Sequence, residues 1–185
     1  MADRKAISIP EKKNEKIREI FLNAALATCE YYIKYTSLDG IPLWDTGAPL
    51  LYKLSDYQSS LSNPFNEFEP VDSSAAAIGA QGLLRLGQFL KQTDPENSKK
   101  YIQAGLTIAE TLLNEPYLSS DKSHQGILLH TIYHRPNKWD HIKIGSKIPF
   151  GESGMWGDYH MVELMYYLWK LLKENEFYCF YKNII

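Results

Sequence analysis

The sequence has only two cysteines, Cys29 inside a helical pattern and Cys179 near the end, too few for a disulfide framework or a thiolate metal site. Both are expected to be ordinary buried thiols. Apolar stretches are short as well, none approaching the roughly 20 residues that span a bilayer, and the charged start Met1-Ala2-Asp3-Arg4-Lys5 is unlike a secretory leader. The chain as it stands is therefore expected to be cytoplasmic and to have no membrane partner. Positive charge is not in excess: Lys and Arg total 20 against 22 Asp and Glu, and no segment concentrates enough of it to follow a phosphate backbone. Nucleic acid is not an expected partner. His-Glu-x-x-His, paired cysteines and a glycine-rich phosphate loop are all absent, which removes the parts a metalloprotease or nucleotide-binding site requires.

What the sequence does have is helical periodicity and aromatic residues, among them 13 Tyr and 4 Trp. Four segments carry a helical repeat, so the expected class is all-α. The first, about 11–35, presents Ile17, Ile20, Phe21, Ala24, Ala25, Leu26, Ala27 and Tyr31 as a broad apolar face. The second opens at Asp72-Ser73-Ser74, residues that cap free N–H groups, and runs to about Leu90. The third is introduced by Thr93-Asp94-Pro95 and ends before Pro116; the fourth starts near Gly157-Asp158 and runs to Leu172. The aromatic tail 177–181 fits no element.

The second and third helices are joined by a few residues, whereas the links 36–71 and 115–156 far exceed the roughly 2–8 residues usual between packed helices. In an antiparallel arrangement both long links emerge at the same end, which is where binding or chemistry is expected. Helix, long Trp-containing loop and acidic helix start occur twice, a weak repeat typical of stacked helical hairpins. Two hairpins are too few to cover their own apolar faces, so further chain or another subunit is expected to complete them.

Four clusters are candidates for the site. In 39–45, Trp44 suits stacking on a pyranose ring and Asp45 suits accepting its hydroxyls, or the pair forms a plug and a turn. In 69–75, Asp72, Ser73 and Ser74 are substrate contacts or helix caps; the positive end of a helix would keep Asp72 ionised, which argues against a proton donor. His124, His130 and His134 invite a metal reading, but residues 126–129 and 131–133 read as a short extended hairpin that separates the rings, so no metal is assigned. In 151–160, glycines flank Trp156 and Asp158 is expected to cap the last helix, with Tyr159 beside it; a buried Trp behind a capped helix is the plainer alternative.

Taken in order, Asp-Gly-Ile-Pro-Leu-Trp-Asp (39–45), Asp-Ser-Ser-Ala-Ala-Ala-Ile (72–78) with Gly82-Leu83-Leu84, Gly126-Ile127-Leu128 leading to Tyr133-His134, and Met155-Trp156-Gly157-Asp158-Tyr159 resemble the carboxy-terminal region of glycoside hydrolase family 88, the unsaturated glucuronyl hydrolases. The resemblance covers about 15–172. It implies an (α/α)6 toroid of six helical hairpins, here a partial domain over 1–185 of about two hairpins with long loops on one face. It also implies hydrolysis, without a cofactor, of oligosaccharides ending in a 4,5-unsaturated uronic acid. An aspartic acid protonates the vinyl ether, water adds at C5 and the hemiketal opens.

The family's essential aspartates lie in earlier hairpins that have no counterpart here, so no catalytic residue is assigned and the isolated chain is expected to be inactive. Trp44, Asp45, Asp72, Ser73, Ser74, His130, Trp156, Asp158 and Tyr159 are the expected substrate-side residues. The segment 47–69 departs from the family pattern and is expected to mark a different sugar preference. The expected partners are an unsaturated uronate oligosaccharide and either the missing amino-terminal half or a second copy; a non-catalytic carbohydrate-binding or assembly module is the alternative.

Overall fold

A computed structural model of the protein describes residues 11–173, with side chains from residue 15 onward. Cys179 and the aromatic tail 177–181 lie outside the described residues. Among the described residues the structure is all-helical apart from short 3₁₀ turns and isolated bridges: α1 (Glu11–Lys34), α2 (Ser73–Leu90), α3 (Pro95–Leu112) and α4 (Met155–Leu172). No helix among them is long and apolar enough to cross a membrane.

Helix α2 is the centre of the core. Its small residues Ala76, Ala77 and Ala80 and its Leu83 and Leu84 are all at most 1% exposed, which allows neighbouring helices to approach closely. Helix α3 does so at Gly105, where an added Cβ would lie 2.7 Å from Leu84 Cγ and 3.1 Å from the Ala80 carbonyl oxygen. Helix α4 adds Met161, Leu164 and Tyr167 to the same core, and Gln81 Nε2 donates to the His160 carbonyl across the α2–α4 contact at 3.1 Å. Asp94 begins α3 as expected, accepting from the Asn97 N–H at 3.2 Å ahead of a first-turn proline.

Among its described side chains, helix α1 packs on the core from Leu22 onward. Leu22, Ala25, Leu26, Cys29, Tyr32 and Ile33 pack on the core, and Glu30 accepts from Lys100 Nζ and Tyr101 Oη, both at 2.6 Å. Of the broad apolar face expected here, Ala25 and Leu26 are engaged, whereas Ile17, Ile20, Phe21 and Tyr31 are exposed. A cleft between the first half of α1 and α2 is lined by Ile17, Phe21, Leu22, Ala25, Leu86 and Phe89. Phe89 on α2 and Val162, Trp169 and Leu172 on α4 are also exposed. Periodicity marks a helix's apolar face; it does not supply the neighbour that covers it.

Two boundaries differ from expectation. Helix α4 starts at Met155, with Gly154 as its N-cap, so Asp158 lies inside the first turn and is not the cap. Residues 126–133 form no hairpin with each other: Leu128 bridges back to Leu118, while the Thr131 N–H donates to the Glu152 carbonyl at 3.1 Å. The turn between the two halves sits at His130, whose φ is +66°.

Candidate functional site

The two long loops share one end of the bundle and clasp each other. Asp39 in the first loop accepts from the Ser62 N–H at 3.0 Å and from its hydroxyl at 2.6 Å; Ser62 in turn hydrogen-bonds Tyr117 Oη in the second. Thr111 Oγ1, at the end of α3, donates to the Asp39 carbonyl at 3.1 Å. His130 is the buried pin of this clasp, 2% exposed. Its Nδ1 accepts from the Gly151 N–H at 3.0 Å, its other ring nitrogen donates to the Pro116 carbonyl, and its ring meets Phe65 and Tyr117 edge to face. Burial pulls its pKa down to about 4, so the ring is neutral near pH 7. His130 is therefore enclosed by protein and presents no ring nitrogen to a ligand.

The start of α2 is similarly self-contained. Ser73 Oγ donates to the Leu129 carbonyl at 2.6 Å, and Ser74 Oγ donates to Asp72 at 2.6 Å. Asp72 accepts from the Ser74 and Ala75 N–H groups as N-cap, and also from the Ile132 N–H. Its pKa direction is opposite to that expected from the helix end: burial raises it, and outweighs the hydrogen bonds from Ser74, Ala75 and Ile132 that lower it. Its role is to tie the start of α2 to residues 129–132. Asp158 has the matching role from α4, accepting from the Ile127 and Leu128 N–H groups at 3.0 and 2.8 Å. Gly157 brings the two helix starts together, because a Cβ there would lie 2.4 Å from Thr131 Cγ2 and 3.4 Å from Ser74 Cβ.

Trp44 is half-buried, and its indole N–H donates to Glu69 at 2.7 Å; Glu69, 2% exposed, accepts the Leu50 N–H with its other oxygen at 2.8 Å. Asp45 is exposed and closes a turn by accepting the Gly47 N–H at 2.6 Å. Tyr159 is exposed, with its ring edge-on to His160. Trp156 is the candidate that reaches an open surface in company: its ring stacks on Tyr133 at 5.2 Å and 27°, and Tyr133 meets Trp139 at 5.5 Å. Tyr133 and Trp139 are 57% and 59% exposed and Trp156 behind them is half-buried, so the three rings form an aromatic platform whose Tyr133 and Trp139 rings are open to solvent. Asp140 holds the backbone beneath it, accepting the Tyr133 N–H at 2.6 Å.

Sequence reasoning did not select Asp39, Glu69, Tyr117 or Trp139 as site residues. The available signals were a lone acid among apolar neighbours in Phe-Glu-Pro-Val for Glu69 and an isolated Trp in a polar loop for Trp139. Among the described residues no group of three or more His, Cys, Asp or Glu is placed to hold a metal ion.

Fold and loop face together define a helical-hairpin domain of the α/α-toroid type, with an aromatic platform where α4 begins. No protein-family model matches the chain. It is 27% identical over 145 residues to the unsaturated glucuronyl hydrolase of Bacillus sp. (strain GL1), a match that takes in 78% of this chain and 32% of that enzyme. The crystal structure of the Bacillus sp. GL1 enzyme, described as responsible for the degradation of glycosaminoglycan, aligns with a TM-score of 0.56 over 80% of this chain and 32% of that one. A structure recorded as UGL with dGlcA-Glc-Rha-Glc aligns equally well, at 26% identity, with a TM-score of 0.56 and the same coverage. An unsaturated glucuronyl hydrolase specific for heparin, at 22% identity, has a TM-score of 0.59 over 84% of this chain and 35% of its own, and supports the fold alone.

The resemblance to the unsaturated glucuronyl hydrolases thus holds in sequence and in structure over about four-fifths of the chain. The chain spans about a third of the length of the curated relative it matches.

Proposed function

We propose that the chain is the carboxy-terminal part of an unsaturated glucuronyl hydrolase, forming one partial toroid domain that binds lyase-generated oligosaccharides ending in a 4,5-unsaturated uronic acid. The observation that carries this reading is the cluster of Tyr133, Trp139 and Trp156 on the loop face, since the exposed rings of Tyr133 and Trp139 suit the apolar faces of pyranose rings. Asp45 and Tyr159 offer exposed polar groups for saccharide hydroxyls, and Trp44 is a half-buried ring in the first loop. Asp72, Ser73, Ser74, His130 and Asp158 shape the site by fixing the backbone around it.

In the reaction, an aspartic acid adds a proton at C4 of the vinyl ether, water adds at C5, and the hemiketal opens to release the second sugar. Here that acid is assigned to helical hairpins outside the described residues. The uncovered apolar surface of α1, α2 and α4 around Phe21, Phe89 and Trp169 is where those hairpins would pack. The second reading, a non-catalytic carbohydrate-binding module, draws on the same platform.

The test follows the ultraviolet absorbance of the conjugated uronate in lyase-generated disaccharides. The 185-residue chain alone is expected to leave it unchanged, and addition of the preceding hairpins of a related enzyme is expected to restore its decay. Decay with the chain alone would overturn the assignment of the acid. Binding of the disaccharide with no decay under any complementation would favour the module.

A further inference from the structure

Between Phe65 of the first long loop and residues 115–151 of the second, against the buried His130, lies a cleft of about 380 Å³ that shares no lining residue with the aromatic platform. Phe65 and Phe150 form one wall, with their rings edge to face at 5.4 Å. Lys143 Nζ sits 5.0 Å from the Phe150 ring centroid. Gly151, at φ +76°, makes room for it, because a Cβ there would fall 2.8 Å from that nitrogen. Among the described residues no carboxylate forms an ion pair with Lys143.

Ser119 also lines the cleft. Its Oγ is buried with no hydrogen-bond partner, the one such side-chain atom found among the described residues. A buried hydroxyl left unpaired is uncommon and points to a partner that arrives from outside. The neighbouring acids are already engaged: Asp121 accepts the Ser123 N–H and hydroxyl at 2.8 and 2.7 Å, and Glu115 accepts the Ser120 hydroxyl. Both retain lone pairs for ligand hydroxyls.

We propose that this cleft is a second saccharide subsite, which takes a saturated uronic acid residue with its carboxylate on Lys143, its ring against Phe65 and Phe150, and a hydroxyl on Ser119. An ammonium, an aromatic wall and an unpaired hydroxyl match an anionic sugar better than a neutral sugar, a phosphate or a purely apolar ligand. The assignment rests on the carbohydrate reading for its ligand class but not on catalysis. It gives the protein a hold on a uronate chain apart from the aromatic platform.

The probe is digalacturonate, titrated into the 185-residue chain by calorimetry with neutral maltose as control. Digalacturonate is expected to bind more tightly than maltose, about tenfold more weakly in Lys143→Gln, and again near the parent value in Lys143→Arg. Ser119→Ala is expected to weaken binding, and Lys91→Gln, which removes an exposed charge where α2 ends, to leave it unchanged. Equal binding of maltose, no binding of digalacturonate, or loss in Trp139→Ala with no effect of Lys143→Gln would each overturn the subsite. Ser119→Ala, which removes one unpaired atom, keeps the test decisive if a Lys143 variant fails to fold by circular dichroism. The hydrolase reading is judged separately, by decay of the unsaturated uronate.

Discussion

The two ends of this molecule's surface economy contrast sharply. At the loop end, polar groups from segments far apart in the chain satisfy each other: Asp39 with Ser62, Ser73 with Leu129, Asp158 with Leu128, His130 with Gly151. Along the flank of α1, α2 and α4, large apolar side chains such as Phe21 and Leu172 meet solvent at 71% and 82% exposure. The loop end is tied together by these bonds, while the flank has no cover among the described residues. Order in this domain thus resides in the connections as much as in the helices, the reverse of the usual division.

The largest way to break that contrast is at its pin. His130→Ala removes two hydrogen bonds and the ring that fills the space between Phe65 and Tyr117, and is expected to cost on the order of 3 kcal/mol, read from the denaturant midpoint. The same residue gives a pH signature. Its folded-state pKa is lowered to about 4 from the ordinary 6.5, so between those values the unfolded chain binds a proton that the folded chain does not. Stability from this group is full above about pH 6.5 and is lost as pH falls toward about 4, again on the order of 3 kcal/mol. Urea titrations across that window, repeated on a His130→Gln variant, should show the slope shrink.

Next comes Asp39→Ala, which strips the Ser62 N–H of its acceptor and is expected to cost about 2 kcal/mol. The smallest effect is on the flank. Phe21→Ser is expected to change the stability of the chain alone by no more than about 0.5 kcal/mol, because the ring is already in water. The same variant should weaken complementation by the preceding hairpins, which would turn a neutral position into a contact.

The sequence made the local features legible. Helical periods located all four helices within a few residues, Asp72 and Asp94 announced two starts, and loop lengths showed that both long links belong to one end. The order of motifs pointed to the family. Less legible was everything set by partners distant along the chain. Asp158 reads as a helix cap, yet its acceptors serve N–H groups 30 and 31 residues away. Asp72 reads as ionised at a helix end, yet its burial moves it the other way. The first turn of α4 was hidden because Gly154 and Gly157 look like loop residues; one is the cap and the other a point of close approach.

The four-residue link between α2 and α3 also sets a timetable. These two helices meet through contacts near in sequence, such as Ser98 Oγ donating to the Gly87 carbonyl 11 residues back. The clasp above them joins groups 55 and 72 residues apart. Since distant closures cost more chain entropy and come later, the helical hairpin is expected to assemble first and the loops to lock last. The loop face would then be the last part of the chain to acquire its shape and the first to lose it.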